Sequence, residues 1–103
     1  MSVERYLPFW EAELYRIRGD LNARAGGSES ESEADYARAI ELSRARGAHS
    51  MALRAALSLA RFRASNGRQG EAAELLRPIY ASFTEGFDTR DLVDARSLLD
   101  ELG

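Results

Sequence analysis

A chain of 103 residues, 45% hydrophobic and 30% charged, is long enough for one domain with one modest core and too apolar to stay disordered. It has no cysteine, which removes disulfides, thiolate catalysis and thiolate metal sites together, and no apolar run near the ~20 residues of a membrane span. The net charge is −3, but it falls in blocks: residues 1–37 carry four Arg and eight acids, residues 38–77 eight Arg and three acids, and residues 78–103 two Arg and six acids.

Two readings of those blocks stay open. Either the basic middle folds between the acidic ends and is neutralised by them, or it lines a surface for an acidic ligand. All fourteen basic residues are Arg. Ala, Leu, Glu and Arg dominate the composition, and over long windows that favours helix. The N-terminus, MSVERYLPFWEAEL, has acids where a secretory leader needs a cationic and then an apolar stretch, so a cytoplasmic location is expected.

The first helix is expected from about Phe9 to Arg24. Trp10, Leu14, Ile17 and Leu21 recur at helical spacing and predict its inward face, and Ala25-Gly26-Gly27 stops it. In SESESE (28–33), Ser30 followed by Glu33 reads as a capping box opening a second helix. Tyr36, Ala39, Ile40 and Ser43 form its inward stripe, and Gly47 ends it.

The third helix spans about Ser50 to Ser65. Leu53, Ala56, Leu57, Leu59, Ala60 and Phe62 cover more than half its circumference, which predicts packing on two sides. Asn66-Gly67 ends it. The fourth opens near Gln69 with Ala72, Leu75, Leu76, Ile79, Tyr80 and Phe83 inward; Pro78 predicts a kink and Gly86 the stop. Asp88 can cap a fifth helix with Leu92, Ala95, Leu99 and Leu102 as its stripe. No segment alternates strictly with period two, so no sheet is expected.

The hairpin LRAALSLARFRASNGRQGEAAELLRPIY, from Leu53, matches the tetratricopeptide pattern at Leu59, Ala60, Gly67, Ala72 and Leu76. The first hairpin matches more loosely through Gly19, Ser32, Tyr36 and Ala39. Gly19 to Ala60 is 41 residues, longer than the usual period of about 34. Small residues at these points let backbones approach while bulky ones fill the gaps.

The expected fold is therefore all-α: one domain over residues 1–103, of about five helices in tetratricopeptide-like antiparallel hairpins. They would form a right-handed α-solenoid fragment, with repeat 1 at about 9–47, repeat 2 at about 50–85 and a capping helix at about 88–102.

The stretches AELYRIRGDL (12–21), RAIELSRARGAHSMALRAALSLARF (38–62) and ELLRPIYASFTEGFDTRDLVDARSLLDELG (74–103) resemble the C-terminal tetratricopeptide region of large bacterial signalling ATPases. In that family an AAA-type core precedes the repeats, and an adenylate/guanylate cyclase or a DNA-binding regulator domain often precedes the core. PIYASFTEGFDT (78–89) is the most specific piece. The resemblance implies a terminal repeat block closed by a capping helix. The chain lacks a GxxxxGK[ST] loop, a cyclase metal site and a DNA-binding hairpin, so those activities do not carry over. It is either a C-terminal fragment or a short stand-alone relative.

No catalytic, cofactor or metal site is expected. His49 is the only histidine and sits in a Gly-Ala-His-Ser turn; Glu11 with Glu13 and Asp100 with Glu101 lie on polar helix faces. Arg61, Arg63 and Arg68 cluster near a turn without interleaved aromatics, and the net charge has the wrong sign for nucleic acid, so neither nucleic acid nor membrane is an expected partner.

What remains is a protein-protein interaction or scaffold module. The alternatives are a piece of a nucleotide-dependent regulator or an oligomerisation module. Transferring the repeat positions gives a candidate groove of Arg16, Asp20, Arg24, Arg54, Leu57 and Arg61, flanked by Glu13 and Ser65. Arg54 and Arg61 would flank an apolar Leu57 and suit an acidic peptide, or would be merely solvated. Leu7 and Trp10, with Tyr6 and Phe9, are the candidate face for a homodimer built on the first helix.

Overall fold

The computed structural model describes residues 7–83 and 89–103, with side chains from residue 11 onward. The described residues form helices α1 (Leu7–Arg24), α2 (Glu29–Ala45), α3 (His49–Ser65), α4 (Gln69–Ala81) and α5 (Arg90–Leu102), and contain no strand. The candidate homodimer face of Tyr6, Leu7, Phe9 and Trp10 lies outside the described side chains. Gly86 and Asp88, expected to stop α4 and cap α5, lie outside the described residues.

Two of the turns are built alike. After α2, Gly47 takes φ +69°, its N–H donates to Arg44 O (3.0 Å), and the Ala48 N–H donates to Ser43 O (2.9 Å). After α3, Gly67 takes φ +79°, its N–H donates to Ala64 O (3.1 Å), and the Arg68 N–H donates to Arg63 O (2.8 Å). Only glycine enters that backbone region without penalty, and the paired bonds satisfy the last carbonyls of each helix while reversing the chain.

Each helix packs on the next in sequence, and α3 also touches α1 and α5. Glu33 at the start of α2 meets Arg63 at the end of α3, so those helices run in opposite directions. Glu13 meets Arg54, while Arg24 and Ser65 line the same cavity, so α1 and α3 run the same way. Arg54 meets Asp91 and Arg61 meets Asp94, which aligns α5 with α3. The molecule measures 47 × 36 × 18 Å, and its thinnest dimension accommodates two helix layers ~8–10 Å apart.

The core is assembled from small residues as much as large ones. Ala39, Ala56, Ala60, Ala72 and Ala95 are 0% exposed, and Tyr36, Leu53, Leu59 and Leu76 fill the spaces they leave. Gly19 is buried too: a Cβ built there would sit 2.8 Å from the Tyr36 ring. α3, buried at seven positions from Ala52 to Ala60, is packed on both sides as its pattern predicts.

Three local expectations are corrected. First, Leu14, Ile17 and Leu21 of the expected inward stripe of α1 do not face inward: they are 62%, 44% and 58% exposed. The inward face is the opposite one, with Ala12 and Gly19, because α2 approaches too closely for large side chains. Second, Ser28 and not Ser30 is the N-cap of α2; its Oγ accepts the Glu31 N–H. The SESESE tract offers the same four-residue pattern twice, and the Gly26-Gly27 turn selects the earlier copy. Third, α4 ends at Ala81. Pro78 stands in its last turn, and Ser82 Oγ donates to Ile79 O (2.7 Å), satisfying a terminal carbonyl.

The charge blocks neutralise one another across the fold. From the basic middle, Arg54 reaches Glu13 (3.6 Å) and Asp91 (3.3 Å), and Arg61 reaches Asp94 (3.5 Å). Arg63 meets Glu33 (2.6 Å), and Arg68 meets Glu33 (3.4 Å) and Glu29 (3.9 Å).

Candidate interaction groove

Because α1 and α3 run side by side in the same direction, equivalent faces of the two helices meet along one edge of the slab. An open cavity of about 420 Å³ lies between them. α1 supplies Arg16, Asp20 and Arg24 at helical spacing, α3 supplies Ser58, Arg61 and Ser65, and the rings of Tyr36 and Phe62 form the floor. Those two rings pack against each other with centroids 5.7 Å apart and planes tilted by 53°, a favourable edge-leaning geometry.

The wall on α1 is a hydrogen-bonded chain. Arg16 donates to Glu13 through Nε (3.0 Å) and Nη2 (3.1 Å) and to Asp20 through Nη1 (3.3 Å). The Tyr36 hydroxyl donates to the other Asp20 oxygen at 2.5 Å. Burial, and then the bond to Asp20 with its negative charge, push the Tyr36 phenol above its ordinary value, so it stays a donor. The Arg16 hydrogen bond and the charges of Arg16 and Arg54 hold the Glu13 carboxyl below the usual carboxylate value. Its bond to Glu13 raises Arg16 further.

Of the six residues the repeat positions pointed to, Arg16, Asp20, Arg24 and Arg61 come together in this cavity, and Ser65 joins them. Arg54 stands outside it, clamped between Glu13 of α1 and Asp91 of α5. Leu57 is not an apolar spot on the surface: it is 2% exposed and belongs to the core. The reason is angular. On α3, Leu57 and Ser58 lie about 50° to either side of the line from Arg54 to Arg61; Leu57 falls on the side of the buried Leu53 and Ala60, and Ser58 on the side of the groove. Sequence reasoning placed Tyr36 and Phe62 in the core stripe and missed their role as a floor: Phe62 is half-buried at the base of the groove, and Tyr36 is buried beneath it.

The cations of the cavity are unequally committed. Arg16 is shared by Glu13 and Asp20, and Arg61 is held by Asp94. Arg24, exposed at the end of α1, makes no ion pair among the described residues. Three Arg line the groove against the single acid Asp20, so it presents surplus positive charge at its Arg24–Arg61 end over an aromatic floor. Among the described residues no group of three or more His, Cys, Asp or Glu side chains converges, and no helix is long and apolar enough to cross a membrane. His49 is exposed at the first position of α3.

No protein-family model, curated protein or solved structure matches the chain.

Proposed function

We propose that the chain is a non-catalytic, cytoplasmic protein-interaction module of tetratricopeptide-like hairpins, serving as the terminal repeat block of a bacterial signalling protein. Its α1–α3 groove receives an acidic segment of a partner protein. The observation that carries this reading is the uncommitted Arg24 guanidinium facing the same cavity as Arg61, above Tyr36 and Phe62. A partner carboxylate lying between the two forks would gain charge-assisted hydrogen bonds, and the aliphatic part of its segment would rest on the rings. The hairpin reading is supported by the 41-residue offset from Gly19 to Ala60 in helices that run the same way.

The test is a titration of the isotope-labelled chain with a Glu/Asp-rich extended peptide and, separately, with a Lys-rich one. The acidic peptide should shift the amides of Arg24, Ser58, Arg61 and Ser65, and Arg24→Glu with Arg61→Glu should weaken it about ten-fold or more. Equal binding of both peptides, or an unchanged affinity in the double variant, overturns the groove. Micromolar binding of ATP by the same chain would favour the nucleotide-dependent regulator instead.

A further inference from the structure

The outer face of α1 is built against the ordinary logic of an edge helix. Its small residues, Ala12 and Gly19, are turned into the fold, and its large ones, Leu14, Ile17 and Leu21, are turned roughly 180° away into solvent. Among the described residues they are three of the four exposed large hydrophobics, Val93 being the other. They lie on one line at i, i+3 and i+7, the spacing of a seam between two helices. A helix apolar on both faces is a helix packed on both faces.

We propose that this stripe pairs with the same stripe of a second copy, the two α1 helices lying antiparallel about a two-fold axis. Charge selects the occupant and the direction. Glu11 and Arg18 are exposed on the same edge of the stripe, seven residues apart and opposite in sign. Antiparallel pairing with Leu14 opposite the partner's Ile17 brings each Glu11 beside the partner's Arg18, twice over, as two-fold symmetry requires. Glu11 makes no ion pair among the described residues; Arg18 lends Nε to Asp35 yet keeps a side chain 67% exposed. On the other edge, Glu13 is already paired with Arg16 and Arg54, and Asp20 with Arg16. Parallel pairing would instead set Arg24 against the partner's Arg24 in the seam. Arg24 borders both the stripe and the groove, but Leu14, Ile17 and Leu21 line no part of the groove, so the proposal does not rest on the groove binding a ligand.

A single pair of 18-residue helices makes a small interface, so the dimer is expected to dissociate in the range of about 1–100 µM. Sedimentation equilibrium of the full chain across that range should give a two-fold mass increase with concentration. Leu14→Glu with Leu21→Glu should weaken the dimer about 100-fold, and because both positions are exposed the helical circular dichroism should stay unchanged. Glu11→Arg and Arg18→Glu should each weaken self-association, while an equimolar mixture of the two variants should form heterodimers, since both edge pairs are then of opposite sign. A wild-type chain that remains monomeric up to about 0.5 mM, a double-Glu variant that still dimerises, or variants that fail to pair in the mixture each overturn the proposal. So does a stripe that binds another helical hairpin in preference to a second copy.

Discussion

The Tyr36 ring lies flat against the backbone of Gly19, and its hydroxyl closes on Asp20 at 2.5 Å. One aromatic side chain of α2 thereby fixes both the separation of α1 from α2 and the position of the acid that orients Arg16. A Cβ at position 19 would stand 2.8 Å from Cε1, 3.0 Å from Cδ1 and 3.1 Å from Cζ of that ring. The ring is buried and tethered at its far end, so it cannot swing aside cheaply.

Gly19→Ala should therefore destabilise the chain, against the usual trend for glycine within a helix. Alanine brings about 1 kcal/mol of helix propensity, but overpacking of this kind costs about 1–3 kcal/mol. The net loss should be about 1 kcal/mol by urea denaturation. In a Tyr36→Leu background the obstruction is gone, and Gly19→Ala should become neutral or stabilising. A stabilising Gly19→Ala in the wild-type background would show that the ring does not set the spacing.

Glu13 gives the stability a recognisable acid limb. Its carboxyl titrates below its ordinary 4.5 in the folded chain, chiefly because Arg16 hydrogen-bonds it. A depressed carboxylate contributes stability that is fully present above the unfolded value and is lost as the pH falls through the folded one. Glu13→Gln should thus lower the thermal midpoint at neutral pH, and the two curves should converge as the pH drops below 4.5. A difference that stays constant down through the acid range would assign the effect to packing.

The cap register can be checked residue by residue. Ser28 Oγ accepts the Glu31 N–H at 3.4 Å, a long bond, so Ser28→Ala should cost about 0.5 kcal/mol, the low end for an N-cap. Ser30→Ala, inside the first turn of α2, should be close to neutral. The reverse order in chemical denaturation would move the helix start by two residues.

Glu33 joins three helices through Arg63 at 2.6 Å and Arg68 at 3.4 Å, while Arg68 also grips Glu71 at 2.7 Å. Its loss should be felt most at low ionic strength. Glu33→Gln should lower the melting midpoint in dilute buffer, and the deficit should shrink at about 1 M salt, where the Debye length is near 3 Å. A salt-independent deficit would mean that the shape of the side chain matters more than its charge.

The first three helices were legible because each carries its own stop: Gly26, Gly47 and Gly67 mark three ends that periodicity also brackets. The groove was legible in part. Arg16, Asp20, Arg24 and Arg61 were reached from the expected 41-residue offset between α1 and α3, and they line one cavity between those helices. What sequence could not supply was the neighbour of each face. The pattern of α1 declares two candidate faces, one large and one small, and hydrophobicity ranks the large one as core. Tyr36, seventeen positions on from Gly19, decides for the small one, through a contact that only three dimensions reveal. Leu57 failed for a related reason: a helix packed on two sides leaves a narrow open strip, and one residue's rotation moves a side chain off it.

α3 touches all four of the other helices, whereas α1 and α5 lie at the two margins. Transient opening should accordingly begin at the margins, where fewer neighbours must be surrendered, and reach the middle last. Amide protons of α3 around Ala56 and Leu59 should be the slowest in the molecule to exchange with deuterium. Those of α5 should exchange early, and α1 should join the slow class only when its outer stripe is occupied.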